Sequence, residues 1–123
     1  MELACRLTEL AGHPVLHVQG EIDLATLPVF RDHLTRLVTA HPGATVAVDL
    51  DGTTALDDAG IGMILGAAGR ARLGGGDLVL VCTDSRLLGR FTTTRLDRAV
   101  DVVARVPRRE SWNIIVTRWR IFR

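Results

Sequence analysis

Two hydrophobic periods alternate along this chain. Leu3 to Leu10 alternates loosely between apolar and polar residues and predicts an edge strand. Gly12-His13-Pro14 predicts a turn, and Val15-Leu16-His17-Val18-Gln19-Gly20 a second strand, the hairpin partner of the first. After Glu21-Ile22-Asp23 the period changes, and Leu27, Phe30, Leu34, Leu37 and Val38 keep helical spacing over about 15 residues. Asp23 or Thr26 is placed to cap that helix, Pro28 suits its first turn, and His41-Pro42-Gly43 ends it.

Thr45 to Leu50 is nearly all apolar, the pattern of a central strand buried on both faces. A short polar loop is expected after it. A second helix is expected to start near Ala59 or Gly60, with Ile61, Ile64, Leu65 and Ala68 as its core stripe. Gly62, Gly66 and Gly69 form another stripe on that helix, without side chains. Each interior glycine costs a helix about 1 kcal/mol relative to alanine, so close backbone packing is expected there, on the sheet or on a partner. Gly74-Gly75-Gly76 ends the helix, and Asp77 to Cys82 is the next strand. Asp84-Ser85 caps a third helix through Leu87, Leu88 and Phe91, and Ala99 to Val103 is a last short strand. The order β-β-α-β-α-β-α-β predicts an α/β fold, with a mixed sheet of four or five strands and helices packed on it. Residues 1–106 are expected to form one domain, and 107–123 a terminal helix.

Composition narrows the classes. A chain of 123 residues holds one domain with one core. No apolar run is long enough to span a bilayer. The start Met1-Glu2-Leu3-Ala4-Cys5-Arg6 lacks the basic and apolar regions of a signal peptide, so the cytoplasm is the expected compartment. Cys5 and Cys82, far apart in strand-like runs, are expected to be reduced core residues. All fifteen basic residues are arginine. Residues 1–104 hold nine of them against thirteen acids, a net of −4, and residues 105–123 hold six against one, a net of +5. An acidic body with a basic tail is not the distributed basic face of a nucleic-acid-binding domain, and no nucleic-acid partner is expected.

The chemistry-bearing residues gather at one place. Asp57 and Asp58 stand where the second helix begins, and the unpaired N–H groups and positive dipole end of a helix start favour negative charge. The same groups favour phosphate, so Asp58 reads as an anion built into a potential switch. Competing readings are weaker. Gly60-x-Gly62-x-x-x-Gly66 departs from the dinucleotide-binding spacing, lies far from the preceding strand end, and would set Asp57 and Asp58 against a pyrophosphate. A P-loop needs a lysine, and the chain has none. Ser85 and Ser111 lie in no nucleophile elbow, and His13, His17, His33 and His41 form no close ligand pair. Glu21 and Asp23 read as turn and cap residues rather than an acid–base pair. Thr53, Thr54 and Thr92-Thr93-Thr94 read as loop and helix-end hydroxyls rather than phosphoacceptors. No enzymatic activity, cofactor or metal is expected.

Taken together, Gly20-Glu21-Ile22-Asp23, Val48-Asp49-Leu50, Asp57-Asp58-Ala59-Gly60-Ile61-Gly62, Arg70, Gly74-Gly75-Gly76-Asp77-Leu78 and Leu96-Asp97 resemble the STAS domain of bacterial anti-sigma factor antagonists, over roughly residues 3–104. The resemblance implies a single STAS fold and regulation of transcription by partner switching. The implied partner is an anti-sigma factor of the ATPase/kinase type, with other STAS proteins as a second class and no membrane partner. In that family, phosphorylation of a serine at the start of the second helix prevents binding. The family pattern reads Asp-Ser-Ser-Gly or Asp-Ser-Thr-Gly there, whereas this chain reads Asp57-Asp58-Ala59-Gly60. Asp58 takes the place of the phosphorylated serine, and no hydroxyl remains at either position. It carries about one negative charge where phosphoserine carries nearly two. Asp58 then imitates the phosphorylated state, or meets a partner adapted to a carboxylate, or simply caps the helix. The implied partner-binding surface comprises Glu21, Asp23, Thr53, Thr54, Asp57, Asp58, Ala59, Gly60, Gly62, Met63 and Gly66, from the Thr53–Asp58 loop, the first helical turns and the nearby Gly20–Asp23 segment. The alternative function is a STAS scaffold or ligand-sensing module in a larger signalling assembly.

The tail is least like the family. Trp112, Ile115, Trp119 and Phe122 share one helical stripe, with Arg118, Arg120 and Arg123 on other faces. A terminal helix packed on the body is expected there. An amphipathic surface for a partner or membrane, and a strand through Ile114-Ile115-Val116-Thr117, are the other readings.

Overall fold

The computed structural model describes residues 3–106. Five strands, β1 (Leu3–Leu10), β2 (His13–Ile22), β3 (Thr45–Leu56), β4 (Asp77–Val81) and β5 (Asp101–Val103), form one sheet in chain order. β1 runs antiparallel to β2, and every later neighbour pair is parallel. The crossovers are α1 (Leu27–Thr39), α2 (Asp58–Leu73), and the pair α3 (Ser85–Thr93) and α4 (Leu96–Ala99). Their apolar faces pack on one side of the sheet. Phe30, Leu34 and Leu37 of α1, Ile61 and Ile64 of α2, and Leu87, Phe91 and Leu96 of α3 and α4 meet Leu16, Val18, Val48, Leu50, Leu78 and Leu80 in one core. The periodicity predicts a mixed α/β sheet of four or five strands, and the sheet has five.

The boundaries differ in instructive places. The hairpin turn is Ala11-Gly12, with φ of 52° and 82°, and His13 already pairs with Leu10. Two residues at positive φ give the tight connection whose twist suits a hairpin, so His13 and Pro14 begin β2 rather than turn the chain. β5 starts only at Asp101, because the four-residue helix α4 takes Leu96–Ala99. Arg95, at φ 62°, breaks the chain between α3 and α4.

The largest difference is β3. The expected polar loop is strand as far as Leu56, paired with β2 as Gln19↔Gly52, Gly20↔Thr53, Glu21↔Ala55 and Ile22↔Leu56 through two register shifts. Two of its polar residues find partners on other segments. The buried Thr53 hydroxyl donates to the Val18 carbonyl at 3.3 Å. The Asp51 carboxylate accepts from the Thr83 N–H at 2.6 Å and its hydroxyl at 3.0 Å. Gly52 allows the close approach, since a Cβ there would lie 2.7 Å from Gln19 Cγ and 3.0 Å from the Val18 carbonyl oxygen.

The opposite sheet face is different in kind. Val15, Ala47, Val79 and Val81 form a second buried cluster there, joined by Val103 and Val106. Beside it His17 bridges two strands, with Nε2 2.7 Å from the Thr8 hydroxyl and Nδ1 2.9 Å from the Asp49 carboxylate. Among the described residues no group of three or more His, Cys, Asp or Glu is placed to hold a metal ion. Both cysteines are free thiols, Cys5 half-buried and Cys82 buried, and burial pushes both thiols above their ordinary value. No helix among the described residues is long and apolar enough to cross a membrane. The segment 107–123, with the expected terminal helix and its Trp112–Phe122 stripe, lies outside the described residues.

Candidate protein-interaction site

The end of β2, the end of β3 and the start of α2 converge at one edge of the helix layer. The Asp57 N–H donates to the Ile22 carbonyl at 2.9 Å, which ties the helix start to the end of β2. The Asp57 carbonyl accepts from the N–H groups of Gly60 at 2.9 Å and Ile61 at 3.2 Å, closing the first turn. Asp57 is therefore the N-cap residue and Asp58 the first residue of the helix. The expected start at Ala59 or Gly60 is one to two residues late, and Asp58 is not the cap. An extended Asp57, with φ −72° and ψ 155°, already supplies the geometry that begins a helix.

Asp58 is free to face outward as a result. Its side chain is 85% exposed, and it accepts a hydrogen bond from the Arg90 guanidinium of α3. Arg90 and Arg86, one turn apart, line a groove of roughly 410 Å³ with Asp23, Thr54, Asp57 and Leu87. Arg86 also reaches the Asp84 carboxylate at 3.6 Å. Neither arginine was among the residues that the sequence singled out. They lie some thirty positions downstream, and only the folded chain brings Arg90 to Asp58 and Arg86 to the same groove.

The loop from β2 into α1 forms the groove's other wall. Asp23 Oδ1 accepts from the N–H groups of Ala25 at 3.0 Å and Thr26 at 3.1 Å. The buried Thr26 hydroxyl donates to the Glu21 carbonyl at 2.7 Å. Asp23 and Thr26 thus fix the turn, and Thr26 makes no side-chain cap bond to α1. Leu24 at the tip of this loop is 81% exposed.

The expected surface separates into two groups. Thr54, Asp57, Asp58, Ala59, Gly62 and Gly66 are exposed, and Thr54 and Asp57 line the groove with the half-buried Asp23. The others turn inward. Thr53 is buried under β2, and the half-buried Met63 packs against the main core. Half-buried Glu21 lies within β2. Gly60 is buried, and a Cβ there would lie 2.8 Å from both Ile22 Cγ2 and Leu56 Cδ1. Gly60 is therefore closely packed against the ends of β2 and β3.

α2 also resolves the glycine stripe. Its buried side is Gly60, Ile61, Ile64, Ala67, Ala68 and Ala71. Leu65, expected in the core, is instead 39% exposed. Cβ atoms at Gly62 and Gly69 would meet nothing within 4 Å, and one at Gly66 only Arg70 Nη1 at 3.5 Å. The stripe does not pack on the sheet. With Leu65 and the 90% exposed Leu73 it forms a flat, largely apolar outer face running away from Asp58.

A five-stranded mixed sheet with an acidic helix start beside an open helix face defines the class of protein. A model of the STAS domain family matches residues 5–108. The chain belongs to the STAS domain family. An anti-sigma-B factor antagonist of Bacillus subtilis is 31% identical over 90 residues, 73% of this chain and 81% of that protein. Among solved structures, an anti-sigma factor antagonist from Mycobacterium paratuberculosis superposes with a TM-score of 0.71 at 21% identity, covering 85% of this chain and 88% of the other. An anti-sigma-factor antagonist (STAS) domain protein from Planctomyces limnophilus gives 0.70 at 13% identity, covering 83% and 91%. These two likenesses concern the fold. The relatives are regulators rather than enzymes.

Proposed function

We propose that this protein is an anti-sigma factor antagonist that binds a kinase-type anti-sigma factor through the start and outer face of α2, and that Asp58 replaces the phosphorylatable serine of the family. The observation that carries this reading is the position of Asp58. It is the first residue of α2, exposed, and next to Ala59, so neither position presents a hydroxyl to a serine kinase. The bare outer face of α2 supports a protein partner, since its interior glycines weaken the helix while a Cβ at Gly62 or Gly69 would meet no described residue within 4 Å and one at Gly66 only the tip of Arg70. The Arg90 contact favours binding that is constitutive over a permanent imitation of phosphate. A single carboxylate neutralised by a guanidinium presents far less negative charge than phosphoserine.

The test mixes the protein with its anti-sigma factor and Mg-ATP, maps phosphate by mass spectrometry and measures affinity by calorimetry. The unmodified protein should bind and carry no phosphate at residues 57–60. Asp58→Ser should become phosphorylated, and it should keep a stable helix start because Asp57 remains the N-cap. Before phosphorylation its affinity should match that of the unmodified protein. A marked rise in affinity in Asp58→Ser would show that Asp58 imitates phosphate. Phosphate on Thr54 would move the switch onto β3.

A further inference from the structure

The helices leave one face of the sheet without a described second layer, yet part of that face is dry. Val15, Ala47, Val79 and Val81 are 0, 0, 1 and 5% exposed. They form a row across the sheet, because Val15 pairs with Ala47 and Ala47 with Val79, while Val81 pairs with Val103 on β5. Successive residues of a strand point to opposite faces, so this row faces away from the core formed by Leu16, Val48 and Leu80. Among the described residues the partly buried hydrophobics packed against it are Val103 and Val106, and two half-buried valines at one edge do not shield a row that begins on β2.

The chain has a segment suited to cover it. Val106 is the last described residue and already packs on this row, so the seventeen residues that follow leave from the patch. They carry Trp112, Ile115, Trp119 and Phe122 at intervals of three, four and three. On a helix such spacing puts four large apolar side chains on one side, over about 15 Å. The three strand intervals from β2 to β5 span about 14 Å. Charge agrees with this fit. The segment carries Arg108, Arg109, Arg118, Arg120 and Arg123 against Glu110 alone, while the same sheet face carries Asp49, Asp51 and Asp101. We propose that residues 107–123 close over the sheet face opposite the helices, with Trp112, Ile115, Trp119 and Phe122 seated on Val15, Ala47, Val79 and Val81. This assignment stands apart from the proposed partner site, which lies on the helix side, and each can fail without the other.

Trp112 and Trp119 are the only tryptophans, so intrinsic emission reports this segment alone. In the full chain the emission should be blue-shifted and shielded from acrylamide, independently of protein concentration. Ile115→Asp should move it to longer wavelength and raise quenching. It should also shift the methyl NMR signals of Val15, Ala47, Val79 and Val81 while leaving those of Val48, Ile64 and Leu80 in place. Should the charged variant not fold, Ile115→Ala should give the same pattern at smaller amplitude. Solvent-like emission from the unmodified chain would overturn the proposal. So would methyl shifts confined to the helix side. Shielding that appears only as concentration rises would put a second copy on the face instead, and shielding only with anionic vesicles would put a membrane there.

Discussion

The guanidinium of Arg90, on α3, donates to the carboxylate of Asp58, the first residue of α2 and 32 positions earlier in the chain. The contact joins the two helices at the rim of the candidate site and offsets the charge that the helix start displays. Asp58 is 85% exposed and Arg90 36%, so the pair contributes little to folding, about 0–1 kcal/mol for such surface pairs. Under the proposed function its consequence is for recognition, because an approaching surface would meet a neutralised carboxylate.

Removing the arginine should therefore separate binding from stability. Arg90→Ala should melt within about five degrees of the parent, on the order expected of a surface pair. It should bind the anti-sigma factor more weakly, because Asp58 is left as an uncompensated anion. The loss should be larger at low salt than at high salt, since screening hides an exposed charge. Asp58→Asn combined with Arg90→Ala should recover the parent affinity. Calorimetry at two ionic strengths reads the parent and both variants, and unchanged binding by Arg90→Ala would remove the pair from the proposed recognition surface.

The start of α3 gives a pH-dependent prediction. The Arg86 and Leu87 N–H groups donate to Asp84 Oδ1 at 2.8 and 3.4 Å, and the Arg86 bond leads the causes that hold this carboxyl below its ordinary value of 3.8. A carboxyl depressed in the folded state adds stability above the ordinary value and loses it as pH falls through the lower, folded one. Asp84→Ala should thus lower the melting temperature at neutral pH and match the parent in strong acid. Asp84→Ser, which also caps, should retain most of the neutral-pH stability.

The thiols should be slow to react. Burial pushes Cys82 up, and the nearby carboxylates of Asp51, Asp84 and Asp49 disfavour its thiolate further. Only the thiolate is nucleophilic, so Cys82 should resist a disulfide reagent at pH 8 until the protein unfolds, and half-buried Cys5 should react between Cys82 and a free cysteine. Fast native labelling of Cys82 would show that the α3 end of the core opens.

How far the sequence spoke for itself depends on the kind of signal. The periods of Leu27–Val38 and Thr45–Leu50 fixed α1 and the centre of the sheet, because apolar spacing reports burial directly. The same reasoning failed from Asp51 to Leu56, where polar residues are strand because Thr53 and Asp51 find partners on other segments. A single chain pattern does not show a partner 32 positions away. The site divides in the same manner. Asp57 and Asp58 were legible as a helix start, and the family pattern drew attention to Gly60 and Thr53. That pattern did not distinguish residues buried against neighbouring segments from residues exposed at the surface, and nothing in the spacing pointed to Arg86 or Arg90.

The glycines of α2 turn that distinction into a measurement. A Cβ at Gly60 would stand 2.8 Å from Ile22 Cγ2 and Leu56 Cδ1, inside a closed core. Gly60→Ala should destabilise the fold by about 1–3 kcal/mol, the usual cost of overpacking. A Cβ at Gly62 would meet nothing within 4 Å. Gly62→Ala should stabilise the helix by up to about 1 kcal/mol, since alanine gives up less backbone entropy there. At Gly66 only the tip of Arg70 is near, at 3.5 Å, and that side chain can swing aside. Gly66→Leu should fold, as judged by circular dichroism and thermal melting, yet bind the anti-sigma factor roughly tenfold or more weakly, a loss of about 1.4 kcal/mol. A Gly66→Leu protein that folds and binds normally would place the partner off this face of α2. One that fails to fold would contradict the open surroundings of Gly66.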